Sequence, residues 1–141
     1  MLKSVESFIG VLESKEIKFT HYPPEGQRST EVVKISYEGK HGNNLNFIFF
    51  FDSSGNSVNV KVFEICKTDE EKIMNMYVTL NDINCEYRWI KMYIDTDNDV
   101  TASGDAIVNP DTAGEECFEM LIRYLSILDE VYPRLMKALW A

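Results

Sequence analysis

Residues that do most protein chemistry are scarce in this chain. There are two histidines, His21 and His41, and three cysteines, Cys66, Cys85 and Cys117. No two cysteines form a CxxC pair, and neither histidine stands at metal-ligand spacing from a cysteine or from the other histidine. That excludes zinc-ribbon and thiol–disulfide motifs. An odd number of cysteines at apolar positions fits reduced, buried thiols. Positive charge is also short: 14 Lys and Arg stand against 23 Asp and Glu, a net charge of −9. The cations are scattered, so no basic stripe is present for nucleic acid or an anionic membrane. No apolar run approaches the ~18 residues of a membrane span. The segment after Met1 is amphipathic, unlike a signal peptide. We expect a cytoplasmic protein that binds neither membrane nor nucleic acid. GxSxG, phosphate-loop, dinucleotide and HExxH signatures are all missing. We therefore expect no enzyme, no cofactor and no metal.

What is present describes one domain over residues 1–141, long enough to bury a core without staples. Leu2, Val5, Phe8, Ile9 and Leu12 recur at helical spacing over 2–14. A short strand is expected over 17–22, ended by Pro23-Pro24-Glu25-Gly26. Strands over 30–38, 45–51 and 57–64 follow, joined by Gly- and Asn-rich turns, so they form an antiparallel meander. Val58, Val60 and Val62 share one face of the third; Asn59 and Lys61 share the other.

Leu45–Phe51 is apolar on both faces, where a half-buried antiparallel strand should alternate. Either a helix covers each face, or the outer face meets a second protein.

Thr68-Asp69-Glu70-Glu71 fits a capping box and opens a helix with Ile73, Met76, Tyr77, Leu80 and Ile83 on one arc. Asn84 falls inside that arc. A buried amide needs partners, so we expect a structural role, satisfying helix carbonyls or the incoming strand. That strand is expected over 87–95, with Tyr87, Trp89, Lys91 and Tyr93 on one face. Asp95-x-Asp97-x-Asp99 imitates a calcium loop, but the sixth and twelfth positions are Val100 and Ala106 instead of Gly and Glu. We read it as a hairpin turn into a strand over 100–108, on which Ala102, Gly104 and Ala106 leave room for close packing.

After Pro110, Thr112-Ala113-Gly114-Glu115 is a second capping box. The helix it opens has apolar positions covering roughly 220° of its circumference, where one core-facing stripe needs ~100°. The N-terminal helix or another subunit must bury the excess. Pro133 is expected to kink or restart this helix.

Leu80-Asn81-Asp82-Ile83-Asn84, Tyr87-Arg88-Trp89, Lys91-Met92-Tyr93-Ile94-Asp95 and Leu128-Asp129-Glu130-Val131-Tyr132-Pro133-Arg134-Leu135 together resemble the YbjN-like family of bacterial sensory transduction regulators. The resemblance implies an α+β fold similar to type III secretion chaperones: a twisted antiparallel sheet packed with helices, in the order helix, meander, helix, hairpin, helix, commonly paired as a dimer. It also implies a protein-binding or regulatory role.

From these features we expect a homodimeric, non-enzymatic interaction domain, chaperone-like or regulatory, with a protein client or regulatory partner. Phe47, Phe49, Trp89, Tyr93, Tyr124, Ile127 and Val131 are the candidate interface residues. The alternative is a small-molecule sensor with an apolar pocket between the sheet and the C-terminal helix, lined by Met74, Met76, Met92 and Met120.

Overall fold

Alternation along the strands sorts the side chains into a buried row and an open row. The computed structural model describes all residues, Met1–Ala141. Its elements are α1 (Lys3–Ser14), β1 (Thr20–Tyr22), β2 (Glu31–Glu38), β3 (Asn44–Phe51), β4 (Ser57–Val62), α2 (Ile73–Glu86), β5 (Lys91–Ile94), β6 (Val100–Ile107) and α3 (Ala113–Trp140). The strands make one antiparallel sheet in the order β1-β2-β3-β4-β6-β5. Register puts Phe47 opposite Val62, Phe49 opposite Val60 and Phe51 opposite Val58. On the far side of β4, Val60 faces Gly104 and Val62 faces Ala102. All these residues are buried, and all but Gly104 belong, with residues of α1, α2 and α3, to one apolar cluster. Phe8 of α1 packs on Phe49 and Phe51, its ring centre 4.7 and 6.2 Å from theirs. The fold is α+β, with its helices on one face of an antiparallel sheet.

Most of the wide apolar arc of α3 is covered within the chain, with Ile122 left 43% exposed. Cys117, Leu121, Tyr124, Leu128, Val131 and Leu135 are buried among the sheet, α1 and α2. The approach of α1 is very close: a Cβ on Gly114 would lie 2.4 Å from the Ser7 carbonyl oxygen, and the Gly114 N–H donates to Ser7 Oγ at 2.9 Å. The N-terminal helix thus takes up surface that a partner would otherwise have to cover. Gly104 serves a similar end on the sheet, where a Cβ would meet the Tyr124 hydroxyl at 2.3 Å and the Trp89 carbonyl at 2.7 Å.

Helix α3 runs unbroken through Pro133. Proline has no N–H, so the Asp129 carbonyl loses its helical donor. The β2–β3 turn replaces it. His41 Nε2–H donates to that carbonyl at 3.0 Å, the Lys40 N–H donates to Asp129 Oδ1 at 2.8 Å, and the His41 ring stacks on Tyr132. A defect in one element is filled by a turn 88 residues earlier in the chain.

Both expected capping boxes are absent. Thr68 is tied to the hairpin by its N–H bond to the Asn98 carbonyl at 2.8 Å, and its buried hydroxyl has no partner. A 3-10 turn, Glu70–Lys72, leads into α2 instead. At α3 the Thr112 hydroxyl donates to Glu116 Oε1, not to the backbone, and Glu115 plays no part. The sequence pattern supplied the residues, but the Thr68 backbone is tied to the hairpin at Asn98 and the Thr112 hydroxyl turns to Glu116 in the helix that follows it. The strand expected over 87–95 is also shorter, because Trp89 takes a left-handed φ of 77° and delays pairing to Lys91. Tyr87, Trp89 and Tyr93 therefore do not share one strand face. The strand expected over 17–22 likewise narrows to Thr20–Tyr22.

Candidate protein interface

Five of the seven expected interface residues lie inside the chain. Phe47, Phe49 and Val131 are fully buried, and Tyr124 and Ile127 nearly so. They are core residues, because the sheet turns its Phe47–Phe49 row toward the helices. Burial pushes the Tyr124 hydroxyl up to about 12, with the Asp105 carboxylate adding to the effect. Trp89 and Tyr93 are exposed. The Trp89 ring stands between the guanidiniums of Arg88 and Arg123, 4.8 and 5.1 Å from its centre. Both contacts are stabilising for an aromatic face.

The open face of the sheet carries the opposite row of each strand. Tyr22, Val32, Ile48, Phe50, Phe63, Tyr93 and Ile107 lie there, with only Val32 buried. Ile107 is 89% exposed, extreme for a β-branched apolar residue on a strand. Phe50, Phe63 and Ile107 line a groove of about 750 Å³ rimmed by Asp52, Lys61 and Asp105. Several polar residues of this face bond to one another. Ser36 Oγ donates to Asn46 Oδ1 at 2.6 Å; Asn59 Nδ2 donates to Asp105 Oδ1 at 2.9 Å and Ser103 Oγ at 3.1 Å; Lys61 Nζ donates to the Tyr93 hydroxyl at 3.4 Å.

A second apolar strip runs along α2. Met76, Leu80 and Ile83 face the core, which leaves Met74, Tyr77 and Val78 in solvent, Met74 at 67% and Val78 at 61%. Spacings of three and four residues put the three on one side of the helix. Val78 also borders a hollow between α2 and the end of α3, beside the cations Arg134 and Lys137.

None of the five main hollows of the molecule is lined by Met74, Met76, Met92 or Met120. The space between the sheet and α3 is packed with side chains.

Asn84 grips the sheet. Its Nδ2 donates to the Met92 carbonyl and its Oδ1 accepts from the Met92 N–H, both at 2.9 Å. A side-chain amide thus occupies the free backbone of the β5 edge. Lys91 reaches back and donates to the Asn84 and Tyr87 carbonyls at 2.7 and 2.6 Å, so the strand's lysine also caps the end of α2.

The acidic turn is knitted together from within. Asp95 Oδ1 accepts from the N–H groups of Asp97 and Asp99, and Asp95 Oδ2 accepts from the Thr101 hydroxyl. Lys67 donates to the Asp97 carbonyl at 3.0 Å and approaches Asp99 Oδ1 at 3.5 Å. The carboxylates come within 4.8 Å of one another as parts of a hairpin turn with its own cation.

The Thr101 hydroxyl and then the turn N–H groups hold the Asp95 carboxyl below its usual range; the Arg134 guanidinium does the same for Glu86. The folded-state values lie below the unfolded ones, so in acid the unfolded chain binds more protons. The stability they contribute is present above about pH 4.5 and is lost as pH falls below it. The thermal midpoint is therefore expected to drop on acidification, and Asp95→Asn to flatten that fall. An identical acid limb in the variant would refute the assignment.

Of the titratable groups with shifted values, Glu86, Tyr87 and Arg134 form one network near the surface, and none of the five main hollows gathers them. Burial raises the Cys117 thiol to about 12 and the Cys66 thiol to about 11, which keeps both protonated and unreactive. Asp95 and Glu86 sit in separate surface networks. No helix is long and apolar enough to cross a membrane.

The profile of one protein family matches residues 5–137, nearly the whole chain: YbjN, described as "Putative bacterial sensory transduction regulator". Among solved structures, the chain is similar to one titled "Crystal structure of YbjN, a putative transcription regulator from E. coli". The TM-score is 0.56 at 10% identity, covering 95% of this chain and 96% of that one. At that identity the likeness speaks for the fold alone. No curated protein matches the sequence.

Proposed function

Since the chain belongs to the YbjN family, we propose that it is a non-enzymatic regulatory domain that works by binding protein, in a chaperone-like manner and as a homodimer. The observation that supports this most is the one-sided placement of the helices. It leaves two separate apolar surfaces open, the outer face of the sheet and the Met74–Tyr77–Val78 strip. Contiguous exposed apolar surface of this kind marks interaction sites. Two surfaces serve two purposes, self-association and capture of a client. The filled space between sheet and α3 speaks against a buried small-molecule pocket there, and the lack of a main hollow lined by more than one titratable group of shifted value speaks against catalysis.

The client surface is tested by affinity capture from native lysate with the wild type and the Met74→Glu/Val78→Glu variant side by side. Both positions are in solvent, so the variant is expected to melt like the wild type. A partner retained by the wild type and lost by the variant is the expected result. Identical captured sets would overturn the assignment of this strip to a client.

A further inference from the structure

The geometry points to a second copy of this chain seated on the outer face of the sheet, a deepening that rests on the homodimer reading above. Three observations lead to a copy and not to an unrelated partner.

Area comes first. Six strands of three to eight residues, 37 residues together, at ~4.8 Å spacing and ~3.4 Å rise make a face on the order of 600 Å² in projection. Side-chain relief brings this near the ~800 Å² that each partner contributes to a standard stable interface.

Charge comes second. The chain carries −9 overall, so two copies repel over most of their surface. The outer face is an exception. Its strand positions hold three lysines, Lys34, Lys61 and Lys91, against two acids, Glu38 and Asp105. Several of its amide and hydroxyl groups already pair on the face, as the Ser36–Asn46, Asn59–Ser103 and Asn59–Asp105 bonds show, so covering these leaves no group unpaired. This is a face on which two acidic molecules can meet at little electrostatic cost.

The edges come third. Sheet-to-sheet extension needs a free edge strand, but β1 has three residues and the Met92 backbone of β5 is taken by Asn84. Face-to-face packing remains.

Symmetry then specifies the contact. A two-fold axis along the strands at mid-sheet lays β3 over β4, β2 over β6 and β1 over β5. Phe50 and Ile48 meet the partner's β4 near the centre. Lys34 comes over β6 at the level of Ser103, next to Asp105.

The test is sedimentation of the wild type, Phe50→Asp, Ile107→Asp and Met74→Glu/Val78→Glu across the micromolar range, with thermal melts as the folding check. The expected result is a wild-type dimer, a dimeric α2 variant, and association weakened about 30-fold or more in both sheet-face variants. Ile107 is 89% exposed, so its variant decides the matter even if Phe50→Asp unfolds. Lys34→Glu is expected to weaken the dimer and Lys34→Glu/Asp105→Lys to restore it, which a folding defect cannot mimic. A wild-type dimer that survives Ile107→Asp and falls apart in the α2 variant overturns this inference and leaves the homodimer reading standing. A monomeric wild type throughout the range overturns both.

Discussion

Phe49→Ala is expected to cost about 4 kcal/mol of folding stability. Phe49 is fully buried, packs against Phe8 at 4.7 Å, and pairs across the sheet with Val33 and Val60. Deleting its ring removes that apolar contact and leaves a cavity that the sheet and the helices packed on it close only in part. A loss of that size is a large part of the 5–15 kcal/mol typical of whole domains. Chemical denaturation should therefore show a markedly lower midpoint with an unchanged slope. The adjacent Phe50→Ala offers the contrast. Phe50 points the other way and is only half-buried, so its loss is expected to cost under ~1.5 kcal/mol in the isolated chain and to act on association instead. Similar folding losses at the two positions would refute the assignment of faces.

Gly114→Ala is expected to destabilise by about 2 kcal/mol despite replacing a helical glycine. Helix propensity alone favours alanine by up to ~1 kcal/mol. Against this, the added Cβ would lie 2.4 Å from the Ser7 carbonyl oxygen, 2.8 Å from the Ser7 carbonyl carbon and 2.8 Å from Val11 Cγ2. Two of those atoms are backbone of α1, so relief requires the helix to move. Overpacking of a close contact costs about 1–3 kcal/mol, sometimes more, and here it outweighs propensity. Displacing α1 also disturbs the Gly114–Ser7 hydrogen bond and opens the α3 surface beneath it. A thermal melt checks this, and a midpoint equal to or above that of the wild type would sink the steric account.

Much of the architecture was legible because it follows from local periodicity. The three helices, the meander and the hairpin that apolar spacing and turn residues predict are all present, with β1 and β5 shorter and α2 starting later than that spacing predicts. Asn84 shows how far such reasoning reaches. An amide in an apolar arc announces that it has backbone to satisfy, and the Met92 N–H and carbonyl are that backbone. The interface residues were harder. Leu45–Phe51 is apolar on both sides, so composition cannot say which side turns inward. A usable signal lay in the next strand, whose Val58, Val60 and Val62 oppose Asn59 and Lys61. Carried through the turn register, that row pairs with Phe47, Phe49 and Phe51 and leaves Ile48 and Phe50 outside. Met74 and Val78 were missed for another reason. Which arc of α2 is buried depends on where α3 lies, and α2 carries apolar residues beyond that arc.

By itself the sequence determined the class: an acidic α+β chain without catalytic or metal signatures, its elements set by periods of two and 3.6 residues that act over a few neighbours. Tertiary structure alone decided what each surplus apolar face does. The arc of α3 is too wide for one sheet, and α1 helps to cover it, because a glycine at position 114 lets two backbones touch. The outer row of the sheet stays open, because every helix packs on the other side. Hydrophobicity is a property of a residue, but burial depends on what lies opposite, and that is known only once distant segments have met.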